Sequence, residues 1–417
     1  MTERTAGSQM QAISKTYTLF SRIPVFFSDT LVLTDPLWAK DLALHLEYLE
    51  DFVLCCPVEG LDKAPRNAVA VTGLPSDRVI ALRRDYGHLS VLRNLVPNFR
   101  KVRHALRQTS VAHSGGAGWA FPLSFYILAL APFHRFLWVV VIESAFWMKP
   151  ERGAVSARQW LRHHIYRILL RACLKRADAR IFTTEAYRRF FRQPEDASLI
   201  APAVWIDDHD ILSREALEAR LAALPEDEVR FIFPARLVAE KGTDTILDAI
   251  PHMEEMLTDE APRISVDIMG TGPDAERCRT LARAHSGRIG VRMLEPVDYE
   301  TEFLPILQGY HALLLANRYH EQPRVVFDGF SQGLPVISSR TEGVQEIVKE
   351  DANALLYPID DARALAKAML AFAQNPDRQV SMAHAALDSA MGYSHAGMHE
   401  TRQAFFSRAL GPALADP

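Results

Sequence analysis

The sequence predicts an α/β protein made of two doubly wound parallel-sheet domains. Three observations lead there. At 417 residues the chain exceeds one ordinary hydrophobic core, so two domains of roughly 200 residues each are expected. Short apolar runs alternate with helical patterns in both halves, as in repeated βα units. The formal charge of −4 conceals a division, because residues 1–205 carry a balance of +10 and residues 206–417 one of −14. A boundary is therefore expected near residues 203–210, where Pro202 and Asp207-Asp-His-Asp210 read as a linker. The expected organisation is 1–205, 206–390 and a final helical segment, 391–417.

The first half begins with a polar segment, residues 1–15, which lacks the apolar core of a secretory signal. The four cysteines, Cys55, Cys56, Cys173 and Cys278, have neither metal-binding spacing nor a disulfide framework, and fit reduced thiols in a cytoplasmic protein. Residues 24–27 are expected as a strand, 38–49 as a helix and 52–56 as the next strand. A helix over 93–106 then precedes a strand over 109–112. His113 should follow that strand and open the flexible Ser114-Gly-Gly-Ala-Gly118, which places an imidazole at a strand's carboxyl end. Such a group can donate a hydrogen bond to a ligand hydroxyl when neutral or stabilise an anion when protonated.

Residues 121–147 form the most apolar stretch. Pro122, Pro132, His134, Arg135 and Glu143 interrupt it, so it divides into a buried helix, 123–131, and a buried strand, 136–142, and no membrane span is expected. Glu143 and Ser144 end that strand, where Glu143 either binds hydroxyls or caps a loop. Residues 158–176 set Arg158, Arg162, Arg167, Arg171 and Lys175 in a basic stripe beside Leu161, Ile165, Ile168, Leu169 and Ala172. A basic amphipathic helix with a Trp can rest on an anionic membrane. An ordinary helix with a solvated arginine face is the competing reading. No nucleic-acid-binding motif accompanies the charge, so no nucleic-acid partner is expected.

The second half carries the chemistry. The apolar run 229–233 leads through Pro234-Ala-Arg236 to Lys241-Gly242 and then to a helix whose core face is Ile246, Leu247 and Ile250. Arg offers a planar fork to phosphate oxygens and Lys a mobile point charge, while the helix start adds partial positive charge. This reads as a diphosphate site. A strand over 264–269 ends in Gly270-Thr-Gly272 before a helix over 275–283, and glycine there removes a Cβ that would block a ligand's approach. The strand 312–316, the segment from Tyr319 to Asp328, a short helix to Gly333 and the strand 335–338 complete the set. Loops at the carboxyl ends of parallel strands converge on one crevice.

Ala235-Arg-Leu-Val-Ala-Glu-Lys-Gly242, Met269-Gly-Thr-Gly-Pro273 and Glu321-Gln-Pro-Arg-Val-Val-Phe-Asp-Gly-Phe-Ser-Gln-Gly-Leu-Pro-Val336 together resemble the retaining nucleotide-sugar glycosyltransferases of family 4. The resemblance covers roughly residues 229–375. It implies the GT-B fold, in which two Rossmann-like domains face a central cleft. It also implies transfer of a sugar, with net retention, from a nucleoside-diphosphate sugar to a carbohydrate or to a polyprenyl- or lipid-linked acceptor in polysaccharide or glycolipid synthesis. Arg236 and Lys241 match the family's diphosphate-neutralising cations, and His113 stands near the place of its reaction-centre histidine. Gly270, Gly272, Glu321, Arg324, Val325 and Asp328 fall in its donor-binding segments.

The chain departs from the family where two glutamates usually stand eight positions apart. Here the second is Asp328 and the first falls on His320, with Glu321 one step later. Asp328 keeps a carboxylate for the ribose hydroxyls, and Glu321 serves for the first glutamate if the loop shifts by one residue. Arg324 could add a third cation. Neither cofactor nor metal is implied. A cytoplasmic location follows, at the inner face of the membrane if residues 158–176 rest on it. Two other classes remain open: a sugar-nucleotide epimerase, which would need no acceptor, and a degenerate regulatory partner, which would bind donor without turnover. In the resembled fold a last helix, here carrying Met398, Phe405 and Phe406, returns to the first domain; residues 411–417 are expected to be a disordered tail.

Overall fold

The computed structural model describes residues 13–116, 121–144, 147–148, 155–259, 261–284 and 288–415. It has two compact units. The first comprises Met1–Trp147, Ala157–Ala203 and Ala396–Pro417, and the second Met148–Ser156 and Val204–His395.

In the first domain a parallel sheet runs in the order Ser198–Ile200, Ala179–Phe182, Leu137–Ile142, Val111–Gly115, Tyr17–Phe20, Phe52–Glu59. These strands are near-continuous apolar runs because helices cover both faces. Cys55 and Cys56 lie fully buried in Phe52–Glu59 as free thiols, and burial pushes both pKa values up. The expected elements over 38–49, 52–56, 93–106, 123–131 and 136–142 appear as Pro36–Tyr48, Phe52–Glu59, His88–Leu106, Leu123–Leu130 and Leu137–Ile142. Asp35 caps the helix Pro36–Tyr48 by accepting from Leu37 N at 3.1 Å, with Pro36 at the first helical position.

Three expectations are corrected. The central strand is Tyr17–Phe20, which lies between Val111–Gly115 and Phe52–Glu59; the run at 24–27 belongs instead to a hairpin, Val25–Ser28 with Leu31–Thr34. Its turn uses Asp29 at φ 53°, a left-handed conformation that Asp tolerates. The strand expected at 109–112 runs over Val111–Gly115, so His113 lies in mid-strand, paired beside Leu19 and Val139, and not at the strand's end. Finally, the chain does not end in a tail from residue 411. The helix His395–Ala415 continues because Met398, Phe405, Phe406 and Leu410 are buried among Tyr17, Leu19 and Leu54, and Leu414 packs against the same core. Residues 416 and 417 lie outside the described residues, as do Gly118 and most of the segment 1–15.

The helix Ala157–Arg176 buries a different stripe from the apolar one noted in the sequence. His163, Tyr166, Leu170, Cys173 and Leu174 face inward, while Trp160, Leu161, Ile165 and Ile168 are 55%, 54%, 46% and 63% exposed. No described helix is long and apolar enough to cross a membrane.

The second domain is a parallel sheet of six strands in the order Ile289–Leu294, Arg263–Met269, Glu228–Pro234, Ala312–Leu315, Val336–Ser339, Ala354–Tyr357. Numbered along the chain this is 3-2-1-4-5-6, the doubly wound arrangement in which strand order reverses between Glu228–Pro234 and Ala312–Leu315. Cores on the two faces gather around Phe231 and Phe233 and around Ile232 and Leu313.

Candidate functional site

The two loops at the reversal point carry most of the charged candidates. After Glu228–Pro234 the chain passes Arg236 and a short turn, Ala239–Lys241, and enters the helix Thr243–Met256 through Gly242 at φ 67°. A Cβ on Gly242 would collide with the carbonyl of Ala316, at the end of the neighbouring strand. Glycine is required there both for its φ and for this approach. Lys241 Nζ donates to Glu321 Oε1, so the structure brings these two candidates together. Arg236 is exposed, and among the described residues its guanidinium has no hydrogen-bond or carboxylate partner.

Arg318 fastens the loop. It donates to the Ala239 carbonyl at 2.7 Å, to Asp244 Oδ2 at 2.7 Å and to Asp360 Oδ1 at 2.5 Å. This residue went unnoticed in the sequence, although it follows a strand end much as Arg236 does. Among the described residues Asn317 Nδ2, Thr243 Oγ1 and Thr341 Oγ1, in the nearby strand-end and helix-start segments, are buried without a hydrogen-bond partner. Native proteins seldom leave such atoms unpaired, so these groups at strand ends are available to a polar ligand or to water.

Gly270 and Gly272 have φ values of 147° and 156°. A Cβ on either would strike a backbone carbonyl of the Arg236 loop, that of Ala235 or of Leu237. Backbone bonds from Ala235 N to Met269 O at 3.0 Å, Leu237 N to Thr271 O at 2.8 Å and Asp274 N to Leu237 O at 3.2 Å zip the two loops together. The glycines therefore let one loop lie against another and so hold Arg236 in place. Gly272→Ala is expected to lower unfolding free energy by about 1–3 kcal/mol through strain at this φ, read by denaturant titration. An unchanged midpoint would remove the packing role.

The helix Val325–Ser331 positions the remaining candidates. Arg324 caps it, exposed, with its guanidinium 5.1 Å from the centre of the Trp205 ring. Pro323 precedes this cap and so stands outside the helix. Val325 is half-buried in the first turn. Asp328 is only 5% exposed and accepts from the Tyr299 hydroxyl at 2.6 Å. Burial raises its pKa to about 6, against the opposing Tyr299 hydrogen bond and the nearby Arg324 charge. His320 Nδ1 lies 3.4 Å from Glu342 Oε2. Tyr299 and Trp205 also went unnoticed, since an aromatic far along the chain carries no local signal of the side chain it meets.

In the first domain His113 Nδ1 lies 2.8 Å from the Tyr17 hydroxyl, against Phe406 and His45. Burial lowers its pKa well below the usual value, with His45 adding to the effect, so the imidazole is neutral. Glu143 lies 3.8 Å from Arg402. Asp207, His209 and Asp210 offer ligand atoms within 4.8 Å of one another, a set able to hold a cation, though Asp210 also accepts from the Asp207 backbone N–H at 2.7 Å.

A family model described as "Glycosyl transferases group 1" matches residues 217–388, which include Arg236, Lys241, Gly270, Gly272, Glu321, Arg324, Val325 and Asp328. Over this stretch the chain is similar to the glycosyl transferases group 1 family. Among curated proteins it is similar to the lipopolysaccharide core biosynthesis glycosyltransferase LpsE of Rhizobium meliloti, 24% identical over 35% of this chain and 39% of that protein. The chain thus spans about two fifths of the length of that relative. Among solved structures it is similar to sucrose-phosphate synthase from Thermosynechococcus elongatus, with TM-score 0.70, 18% identity and coverage of 96% and 100% of the two chains. It is also similar to Anabaena HepE in complex with UDP and glucose, with TM-score 0.63, 12% identity and coverage of 94% and 99%. The two Rossmann-like domains of this chain are those of the GT-B fold.

Proposed function

We propose that the chain is a retaining glycosyltransferase that moves a sugar from a nucleoside-diphosphate sugar to a carbohydrate or lipid-linked acceptor in polysaccharide or glycolipid synthesis. The observation that carries this reading is the pair Arg236 and Lys241 on loops at the strand-order reversal of the second domain, beside buried polar atoms without protein partners. In the transfer the bond from the anomeric carbon to the diphosphate oxygen breaks, and an acceptor oxygen bonds that carbon on the same face while its proton is released. Negative charge grows on the departing diphosphate. Arg236, Lys241 and the start of the helix Thr243–Met256 are the groups that would meet it.

Asp328 supplies a carboxylate for the ribose hydroxyls, and Arg324 adds a cation. Glu321, held by Lys241, is the acid nearest the family's first glutamate. For His113 the buried neutral state favours the hydrogen-bond-donor role over a cationic one. The exposed apolar residues of Ala157–Arg176, interleaved with arginines, support contact with an anionic membrane at the cytoplasmic face. HepE was crystallised with UDP and glucose, which makes a uridine nucleotide the first to try.

Thermal unfolding of the full chain with UDP, GDP, ADP and their sugars tests the donor site. One nucleotide is expected to raise the midpoint, with the effect lost in Arg236→Ala and Lys241→Ala. Stabilisation by none of them would sink the reading. Release of nucleoside diphosphate that requires no acceptor would favour the epimerase.

A further inference from the structure

The first domain contains a cavity of about 560 Å³ that the donor chemistry leaves unused. It lies at the carboxyl ends of the parallel strands Phe52–Glu59 and Val79–Leu82, against the first turns of the helix His88–Leu106. Four cations line it, Lys63, Arg83, Arg84 and Arg93, against one carboxylate, Glu59. The Glu59 side chain is 5% exposed and already engaged, by Arg84, by the Tyr86 hydroxyl and by Lys63 at 3.4 Å. Lys63 and Arg84 also lie 5.3 Å from the centre of the Tyr86 ring, which holds both over one platform. Among the described residues the guanidinium groups of Arg83 and Arg93 have no carboxylate partner. The lining thus has a surplus of three positive charges, with two forks unspent.

We propose that this cavity binds a phosphate group carried by the acceptor. Planar guanidinium forks match phosphate oxygens in pairs, and the amino end of the 19-residue helix His88–Leu106 adds partial positive charge on the same side. The volume lies in the range of sites for small ligands, so a sugar phosphate or a lipid phosphate headgroup fits. Along the same helix Leu89 and Leu92 are 85% and 71% exposed, and Leu89 also lines the cavity. An apolar chain attached to a bound phosphate would find cover there. The inference rests on the glycosyltransferase reading for the word acceptor, while the phosphate site itself rests on the cavity alone.

Binding to the full chain without nucleotide tests it. The probes are glucose 6-phosphate against glucose, and phosphatidylcholine vesicles with and without dodecyl phosphate. At least one phosphate-bearing probe is expected to bind roughly tenfold or more tightly than its neutral counterpart, a preference lost in Arg83→Ala/Arg93→Ala and kept only in part in Arg83→Lys/Arg93→Lys, which retains the charge without the fork. Preference for glucose 6-phosphate supports a soluble phosphorylated acceptor; preference for dodecyl phosphate vesicles supports a lipid-borne one. Absence of preference in both arms, or its survival in the double alanine variant, overturns the proposal. Nucleotide-induced stabilisation, measured in parallel, shows that the variants are folded. Its absence in the wild-type chain would count against the transferase reading and not against this site.

Discussion

The Arg236→Ala/Lys241→Ala variant is expected to stay folded but to lose turnover by at least a factor of about a hundred under saturating donor. A group aimed at developing charge is worth about 2.7–4 kcal/mol by comparison with a single oxyanion donor, which corresponds to roughly a hundred- to a thousandfold in rate. The two cations are not equivalent. Arg236 is exposed and among the described residues has no partner to lose, so its removal should leave the free protein nearly unchanged. Lys241 holds Glu321, and its removal leaves a carboxylate beside the expected diphosphate. Both substitutions should therefore weaken donor binding as well as turnover, and Lys241→Ala should weaken binding the more. A Lys241→Ala/Glu321→Ala double variant should recover part of the binding loss. Steady-state kinetics across donor concentration separate these cases, and near wild-type turnover in the Arg236/Lys241 double variant would falsify the assignment.

Why these cations were legible in the sequence is physical. An apolar strand, a short loop and a helix start occupy consecutive residues, so the chemistry of the strand end is written in one dimension. The same holds for Gly242, Gly270 and Gly272, although the sequence suggested room for a ligand and the structure shows room for a neighbouring loop. What could not be read depends on partners distant along the chain. Tyr17–Phe20 spans four residues beside a polar stretch, too short for periodicity to register, yet it is placed centrally by pairing with strands that begin at Phe52 and Val111. His113 looked like a loop residue because Ser114 and Gly115 follow it. It is buried by Tyr17, His45 and Phe406, the last of which lies at the other end of the chain. In Ala157–Arg176 two stripes both carry apolar residues, and only packing against Leu123–Leu130 decides which faces inward. Ile289–Leu294 was missed because Gly290 and Arg292 dilute its apolar pattern, although Arg292 pairs at 2.7 Å with buried Asp267.

Asp328→Asn should make the free protein more stable above pH 6 and a poorer binder of donor. The reason lies in the sign of the proton linkage. Burial raises the Asp328 pKa from 3.8 to about 6, so between those values the folded chain keeps a proton that the unfolded chain has lost. The stability contributed by that proton is fully present below about pH 4 and is lost as pH rises through 6. The difference amounts to roughly 3 kcal/mol, as an upper order of magnitude. Asparagine has no charge to bury and still accepts from Tyr299, whose hydroxyl lies 2.6 Å from the present carboxylate. The wild-type minus variant stability difference should therefore grow in favour of the variant from pH 4 to pH 6 and level off above. Donor binding should move the opposite way. A ribose diol donates two hydrogen bonds that a carboxylate accepts and a carboxamide accepts only in part, so donor affinity at pH 8 should fall by about tenfold to a hundredfold. In the wild-type chain it should fall as pH drops below 6, where the bound acid would have to give up its proton. Urea titrations across pH, paired with nucleotide titrations, read both effects. A variant that gains stability without losing donor affinity would show that the buried acid is a packing residue and that the ribose contact lies elsewhere. The opposed pair of effects would show that this site keeps a destabilising carboxylate because its ligand needs one.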